Sequence, residues 1–219
     1  MNAVPVIAID GPSASGKGTV AQLVALALGF HCLDSGSLYR LVALVALRSG
    51  VALDDEGGLV SIAATLDASF APGEVWLAGE SVTETIRDED CSNGASRVAA
   101  LPGLRSALIG RQRAFRRAPG LVAEGRDMGS VVFVDSGLKV FLTATVEARA
   151  ERRYKQLKGK GIAATLSILL QDLRERDARD ADRGAAPLKQ CPDARLLDTT
   201  AMGAAEAAER ILGWYRRAR

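Results

Sequence analysis

Histidine is almost missing from this chain of 219 residues: His31 is the only one. Cysteine is nearly as sparse. Cys32, Cys91 and Cys191 are odd in number, far apart, and form no CxxC pair. Together these absences exclude a His/Cys zinc site. They also favour reduced thiols over a disulfide framework, so a cytoplasmic protein is expected. Long apolar stretches are absent as well. The longest uninterrupted one, Leu41 to Leu47, is far below the roughly 20 residues a membrane helix needs. The first apolar run has no basic region ahead of it and ends at Asp10, so it does not read as a signal peptide. Neither sign of charge dominates. Lys and Arg number 28 against 26 Asp and Glu, so no global field draws in nucleic acid. Neither nucleic acid nor membrane is expected as a partner. With no long apolar surface stripe in the pattern, a monomer is expected.

What is present is the composition of an ordinary soluble globular protein, 48% hydrophobic and 25% charged, with length for a full core and one inserted subdomain. Val4 to Ile9 reads as a buried strand, and Lys17 to Leu28 as a helix stopped by Gly29. Phe30 to Leu33 is a second strand, and Leu38 to Leu47 is a helix apolar nearly all round. Between Ala68 and Asn93 the pattern changes. "FAPGEVWLAGESVTETI" alternates apolar and polar residues around Pro72-Gly73 and Ala78-Gly79, which is hairpin chemistry. Strand-helix order then returns: helix Leu104 to Arg117, strands Leu121 to Ala123 and Lys139 to Leu142, helices Glu147 to Leu157 and Ile162 to Arg176. A last strand, Arg195 to Leu197, leads to helix Ala204 to Arg216. The expectation is an α/β protein whose five parallel strands are flanked by helices, with an inserted antiparallel β element.

The strongest motif is "IAIDGPSASGKGT", Ile7 to Thr19. Gly11, Pro12, Ser13, Ala14, Ser15, Gly16 and Lys17 have phosphate-loop spacing, with a strand before and a helix after. Such glycines let successive backbone N–H groups converge on one anion, the helix N-terminus adds its dipole, and the lysine adds a mobile charge. Where the usual pattern has Ser or Thr stands Gly18, and Thr19 follows one position late. Thr19 either approaches phosphate or metal, or supports the first helical turn. No Asn/Thr-Lys-x-Asp tetrad accompanies the loop, and Asp54 to Gly57 reads as a polar loop. A nucleotide switch is therefore disfavoured.

Three further segments carry charge suited to phosphate. "LDSGSLYR" puts Ser35 and Arg40 at a helix start, where they can hold an anion, although this segment taken alone reads more plainly as a Ser-capped helix with a surface arginine. "VAEGRDMG" puts Arg126 and Asp127 just past a strand's carboxyl end, where open α/β sheets bind ligands. "RERDARDADRGAAPL" sets Arg176, Arg179 and Arg183 among Asp177, Asp180 and Asp182. That is either a self-neutralising helix end or a mobile lid that brings planar donors onto phosphates.

In combination, "GPSASGKGT", "CLDSGSLYR", "NGASRVA", "RQRAFRRAPGLVAEGRDMGSVVF" and "ERDARDADRGAAPL" closely resemble the bacterial cytidylate kinase family, over essentially the whole chain. The resemblance implies the P-loop kinase fold, with core at residues 1–35, 97–150 and 185–219, a monophosphate-binding domain with a β insert at 36–96, and a lid at 151–184. It implies transfer of a phosphoryl group from ATP to CMP or dCMP, with Mg²⁺. Gly11 to Thr19 would then hold ATP, and Lys17, Arg126, Arg179 and Arg183 would serve catalysis. Ser35, Arg40 and Arg126 would surround the CMP phosphate, and Ser96, Arg105 and Asp127 would read cytosine. Arg176 and Asp180 would reach the sugar, and Arg183 the phosphates. Which residues contact adenine stays open. The chemistry agrees: phosphoryl transfer needs alignment, neutralised charge and exclusion of water, and an attacking phosphate oxygen needs no histidine base. Two readings compete. One is a same-fold kinase for UMP, AMP or a small alcohol; the other is a nucleotide-binding regulator without turnover, which leaves the arginines unexplained. The arginines of "RQRAFRRAP" fit a solvated helix face better than nucleic acid.

Overall fold

A computed structural model describes residues 3–71 and 73–218. In chain order the elements begin β1 (Val6–Asp10), α1 (Lys17–Leu28), β2 (His31–Asp34), α2 (Ser35–Ser49) and α3 (Glu56–Thr65). Next come β3 (Ala68–Ala71), β4 (Glu74–Leu77), β5 (Glu80–Ser81), α4 (Glu89–Val98) and α5 (Pro102–Arg113). The chain continues with β6 (Leu121–Gly125), β7 (Leu138–Thr143), α6 (Val146–Gly159), α7 (Leu166–Asp182), β8 (Arg195–Asp198) and α8 (Ala204–Arg217). Contacts divide the chain into two units, Met1–Leu33 with Ala114–Arg219, and Asp34–Arg113.

The first unit is organised by β1, which is buried at every position because helices cover both faces of its sheet. The order is β2-β6-β1-β7-β8. β1 runs parallel to β6 and to β7, and β7 to β8. Alternate residues of β1 enter opposite cores, as strand geometry requires. Ile7 and Ile9 pack with Val20 and Val24 of α1 and Ile211 of α8. Val6 and Ala8 pack with Leu33, Leu121, Met128 and Phe133. The register sets Asp10 opposite Gly125, so the two strands deliver their functional ends together. The five expected strands and the α/β class are found.

The second unit has its own core, in which Leu41 and Val42 of α2 meet Leu59, Val98, Leu104 and Leu108. α5, expected with the returning core, thus buries Leu104 and Leu108 in this unit. The antiparallel insert is present, with order β3-β4-β5. Ala78 and Gly79 between β4 and β5 both have positive φ, 49° and 80°, as a tight twisted hairpin turn demands. Of the other expected turn, Pro72 lies outside the described residues. Two expectations are corrected. Asp54 to Gly57 is no free loop: the Asp55 side chain accepts from Gly58 N–H at 3.0 Å and caps α3, which offsets the flexibility of Gly57 and Gly58. The insert also gives way to helix before Asn93, because α4 starts at Glu89 and buries Cys91, Ala95 and Val98 on one face.

Gly11 links β1 to the phosphate loop under a tight constraint. A β-carbon there would land on the Leu142 carbonyl oxygen, a backbone atom of β7 that cannot swing aside. Gly11→Ala is expected to lower the unfolding free energy by roughly 1–3 kcal/mol, measured by urea denaturation. A change below about 0.5 kcal/mol would contradict the close approach.

Candidate active site

The loop from Gly11 to Gly16 is shaped by two left-handed residues, Ala14 at φ 57° and Gly16 at φ 91°. Such alternation turns neighbouring N–H groups to one side. α1 starts behind it with no acidic residue in its first turn and no side-chain cap, so its first amides keep their donor capacity. The buried Ser15 hydroxyl has no hydrogen-bond partner. Lys17, only 9% exposed, donates to Pro12 O at 3.3 Å and stands 3.6 Å from Glu124 Oε2. An unpartnered buried hydroxyl beside a buried lysine fits a multiply charged anion. Gly18 has a reason too: a β-carbon there would lie 3.3 Å from Glu124 Oε1. Thr19 is exposed and, with Lys17, lines a cavity of about 520 Å³. Arg152, Thr199 and Met202 form another wall of it.

Arg152 fixes that wall, donating to Ser15 O at 3.1 Å, to Thr199 Oγ1 at 3.2 Å and to the Thr199 carbonyl. Arg149 fixes the loop's other side. It donates to Ser13 O at 3.1 Å and, through two nitrogens, to both carboxylate oxygens of Asp177 at 3.0 and 2.5 Å. The phosphate loop is therefore tied by arginines of α6 to β8's exit and to α7.

At the end of β6, Arg126 Nε donates to Asp180 Oδ2 of α7 at 2.6 Å. Arg183 Nη2 lies 3.9 Å from Asp180 Oδ1. Burial alone would raise the Asp180 pKa, but Arg126, with Arg183 and Arg176, prevails and holds it below the usual carboxylate value. Asp127, beside Arg126, is buried. The structure thus brings Arg126, Arg176, Asp180 and Arg183 together, whereas Arg179 sits exposed on α7.

The second unit holds the other candidates. Ser35, buried, opens α2. Arg40 donates to the Asp34 carboxylate and, at 3.1 Å, to Ser37 Oγ, and its buried Nε has no hydrogen-bond partner. Arg105 is 6% exposed, donates to Ala99 O at 3.1 Å, and lies 5.9 Å from the Tyr39 ring centroid. Ser96 is buried on α4. Among the described residues no group of three His, Cys, Asp or Glu side chains is placed to hold a metal ion, and no helix is long and apolar enough to cross a membrane.

Residues 7–217 match the family model for cytidylate kinase. A cytidylate kinase of Chromobacterium violaceum is 59% identical over 212 residues, 97% of this chain and 96% of its own. One from Burkholderia ambifaria MC40-6 is 58% identical over 97% of this chain and 93% of its own. The chain belongs to the cytidylate kinase family. A solved gluconokinase from Sinorhizobium meliloti 1021 is 16% identical, with a TM-score of 0.47 over all of both chains, and the assignment does not depend on it.

Sequence reading gave no specific role to Glu124, Arg149, Arg152, Asp177 or Thr199, which the structure shows holding Lys17, the phosphate loop and the arginines around it. Glu124 lies inside the quoted "VAEGRDMG", and its place at a buried strand end was a usable signal. The arginines of α6 looked like any basic helix face.

Removing Asp180 leaves the buried Arg183 and the partly buried Arg126 guanidinium groups without this carboxylate. Asp180→Asn is expected to cost roughly 3 kcal/mol at pH 7 in urea denaturation. Because the folded pKa is lowered from 3.8, the carboxylate's contribution is full above that value. The gap between the two proteins should close as pH falls through the folded pKa. A gap below about 1 kcal/mol at pH 7 would mean the pair is solvent-screened.

Proposed function

We infer that the chain transfers the γ-phosphoryl group of ATP to CMP or dCMP, giving ADP and CDP or dCDP. Membership of the cytidylate kinase family carries this reading, and the phosphate loop with its buried Lys17 supports it. In the loop Gly11 to Thr19, the amides from Ser13 onward and the Lys17 ammonium hold the ATP phosphates, and the adjoining cavity takes the rest of that nucleotide. A CMP phosphate oxygen attacks the γ-phosphorus and the bond to the ADP oxygen breaks, so no proton must be removed. What the protein supplies is alignment and countercharge. Lys17, Arg126, Arg179 and Arg183 serve the transferring group. Ser35, Arg40 and Arg126 are assigned to the CMP phosphate, Arg176 and Asp180 to the sugar, and Ser96, Arg105 and Asp127 to cytosine. Residues 36–96 act as the monophosphate-binding domain and 151–184 as the lid. Thr19 and Glu124 offer hard oxygens to the Mg²⁺ that accompanies ATP, which would neutralise phosphate charge. We place the enzyme in the cytoplasm, as a monomer.

Base choice follows from hydrogen-bond polarity. The exocyclic amine of cytosine donates to a carboxylate such as Asp127, whereas the uracil oxygen at that place is repelled. Arg105, a pure donor, suits the cytosine N3 and O2 acceptors and confronts the N3–H of uracil. One such contact is worth roughly 1–3 kcal/mol. Asp127→Ala is therefore expected to lower kcat/KM for CMP by on the order of 10²-fold and for UMP far less. Steady-state kinetics with both acceptors tests this, and an unchanged CMP-to-UMP ratio in the folded variant refutes the assignment.

A further inference from the structure

Met128 and Gly129 begin a single turn of wide helix, Met128–Val132, and their amides precede any acceptor within it. Both amides are nevertheless satisfied, by a side chain from far along the chain. Met128 N–H donates to Asp10 Oδ1 at 2.8 Å, and Gly129 N–H donates to Asp10 Oδ2 at 2.8 Å. The carboxylate thus spans the start of the turn, one oxygen to each amide. Asp10 is the last residue of β1 and is 6% exposed. The turn follows Arg126 and Asp127 directly, and the Asp127 carbonyl accepts from Val131 and Val132 N–H at 2.9 and 3.2 Å. Gly129 leaves room for the arrangement, since a β-carbon there would press on the Lys139 side chain at 3.1 Å.

We propose that Asp10 is a positioning residue whose carboxylate clamps this turn and thereby aims Arg126 and Asp127 at the acceptor nucleotide. The inference rests on the reading of Arg126 as a phosphate contact and Asp127 as a base reader. Two converging N–H groups need a group that accepts at both ends. Ionised Asp does so, whereas an amide or a protonated carboxyl of the same shape opposes one donor with another.

The surroundings make the clamp sensitive to protonation. Burial pushes the Asp10 carboxyl up to about 6 against the pull of the two amides, with Asp127 raising it further and Arg126 lowering it. The other groups facing this cluster are Cys191, whose thiol is pushed up by burial and next by the Asp10 charge, and Lys139. Lys139 is held 2.8 Å from Asp193. With the pKa raised, the doubly accepting carboxylate predominates above pH 6 and is lost as pH falls below it.

The test compares Asp10→Asn with the unmodified chain. The variant is expected to raise KM for CMP on the order of tenfold while KM for ATP stays within about twofold. The unmodified enzyme's KM for CMP is expected to rise below pH 6 beyond any effect of the CMP phosphate itself, and the variant's is expected to lack that rise. Equal changes in both KM values would mark a structural role only and overturn the proposal. A normal KM for CMP, beside an Asp127→Ala variant that narrows the CMP-to-UMP ratio, overturns the clamp and leaves the base reading standing. An unchanged ratio in Asp127→Ala overturns the base reading instead. If Asp10→Asn does not fold, the Asp10 carboxyl carbon is titrated by NMR in the unmodified chain. Linkage is reciprocal, so saturating CMP should lower the Asp10 pKa by about 1. The charge of the bound phosphate acts the other way, and an unchanged or raised pKa overturns the proposal.

Discussion

Lys17 stands almost out of water with its ammonium 3.6 Å from the Glu124 carboxylate. Much of the first unit is arranged around that kind of pairing. A protein that neutralises phosphates must keep cations at hand, and a buried cation without an anion costs several kcal/mol. The chain meets this demand repeatedly in the same form. Arg126 has Asp180, Arg149 has both oxygens of Asp177, and in the second unit Arg40 has Asp34. Each carboxylate supplies countercharge to its cation and fixes the direction in which that cation is held.

These pairs explain the chemistry asked of the fold. Phosphoryl transfer requires no acid or base from the protein, only charge delivered at set positions with water kept away. The sheet places the exits of β1 and β6 side by side through the Asp10–Gly125 register. One exit carries the phosphate loop and the other carries Arg126 and Asp127. The α7 carboxylates then hold cations from both regions, Arg149 beside the loop and Arg126 beyond β6.

Local patterns were legible in the sequence to the extent that their causes are local. The turn-forming glycines of the phosphate loop, the five strands and the Ala78-Gly79 turn each rest on neighbouring residues, and each was found. α3 was missed because two glycines conceal it and a single Asp55 cap restores it. α4 was missed because polar residues fill its outer face while Cys91, Ala95 and Val98 cover the inner one. In the candidate site, Arg126, Arg176, Asp180 and Arg183 were identifiable from motifs. Glu124, Arg149 and Arg152 act through partners many positions away, and no spacing announces such partners. Asp10 is the extreme case: it sits one residue before the quoted glycine, yet what it holds lies beyond β6.

The central claim is that the chain phosphorylates cytidine monophosphates. The most direct measurement is kcat/KM for the purified chain with ATP and Mg²⁺ against CMP, dCMP, UMP and AMP in turn. The account predicts efficient turnover of CMP and dCMP, with UMP and AMP lower by on the order of 10²-fold or more. Comparable efficiency with UMP or AMP, or ATP hydrolysis without transfer to any acceptor, would contradict it.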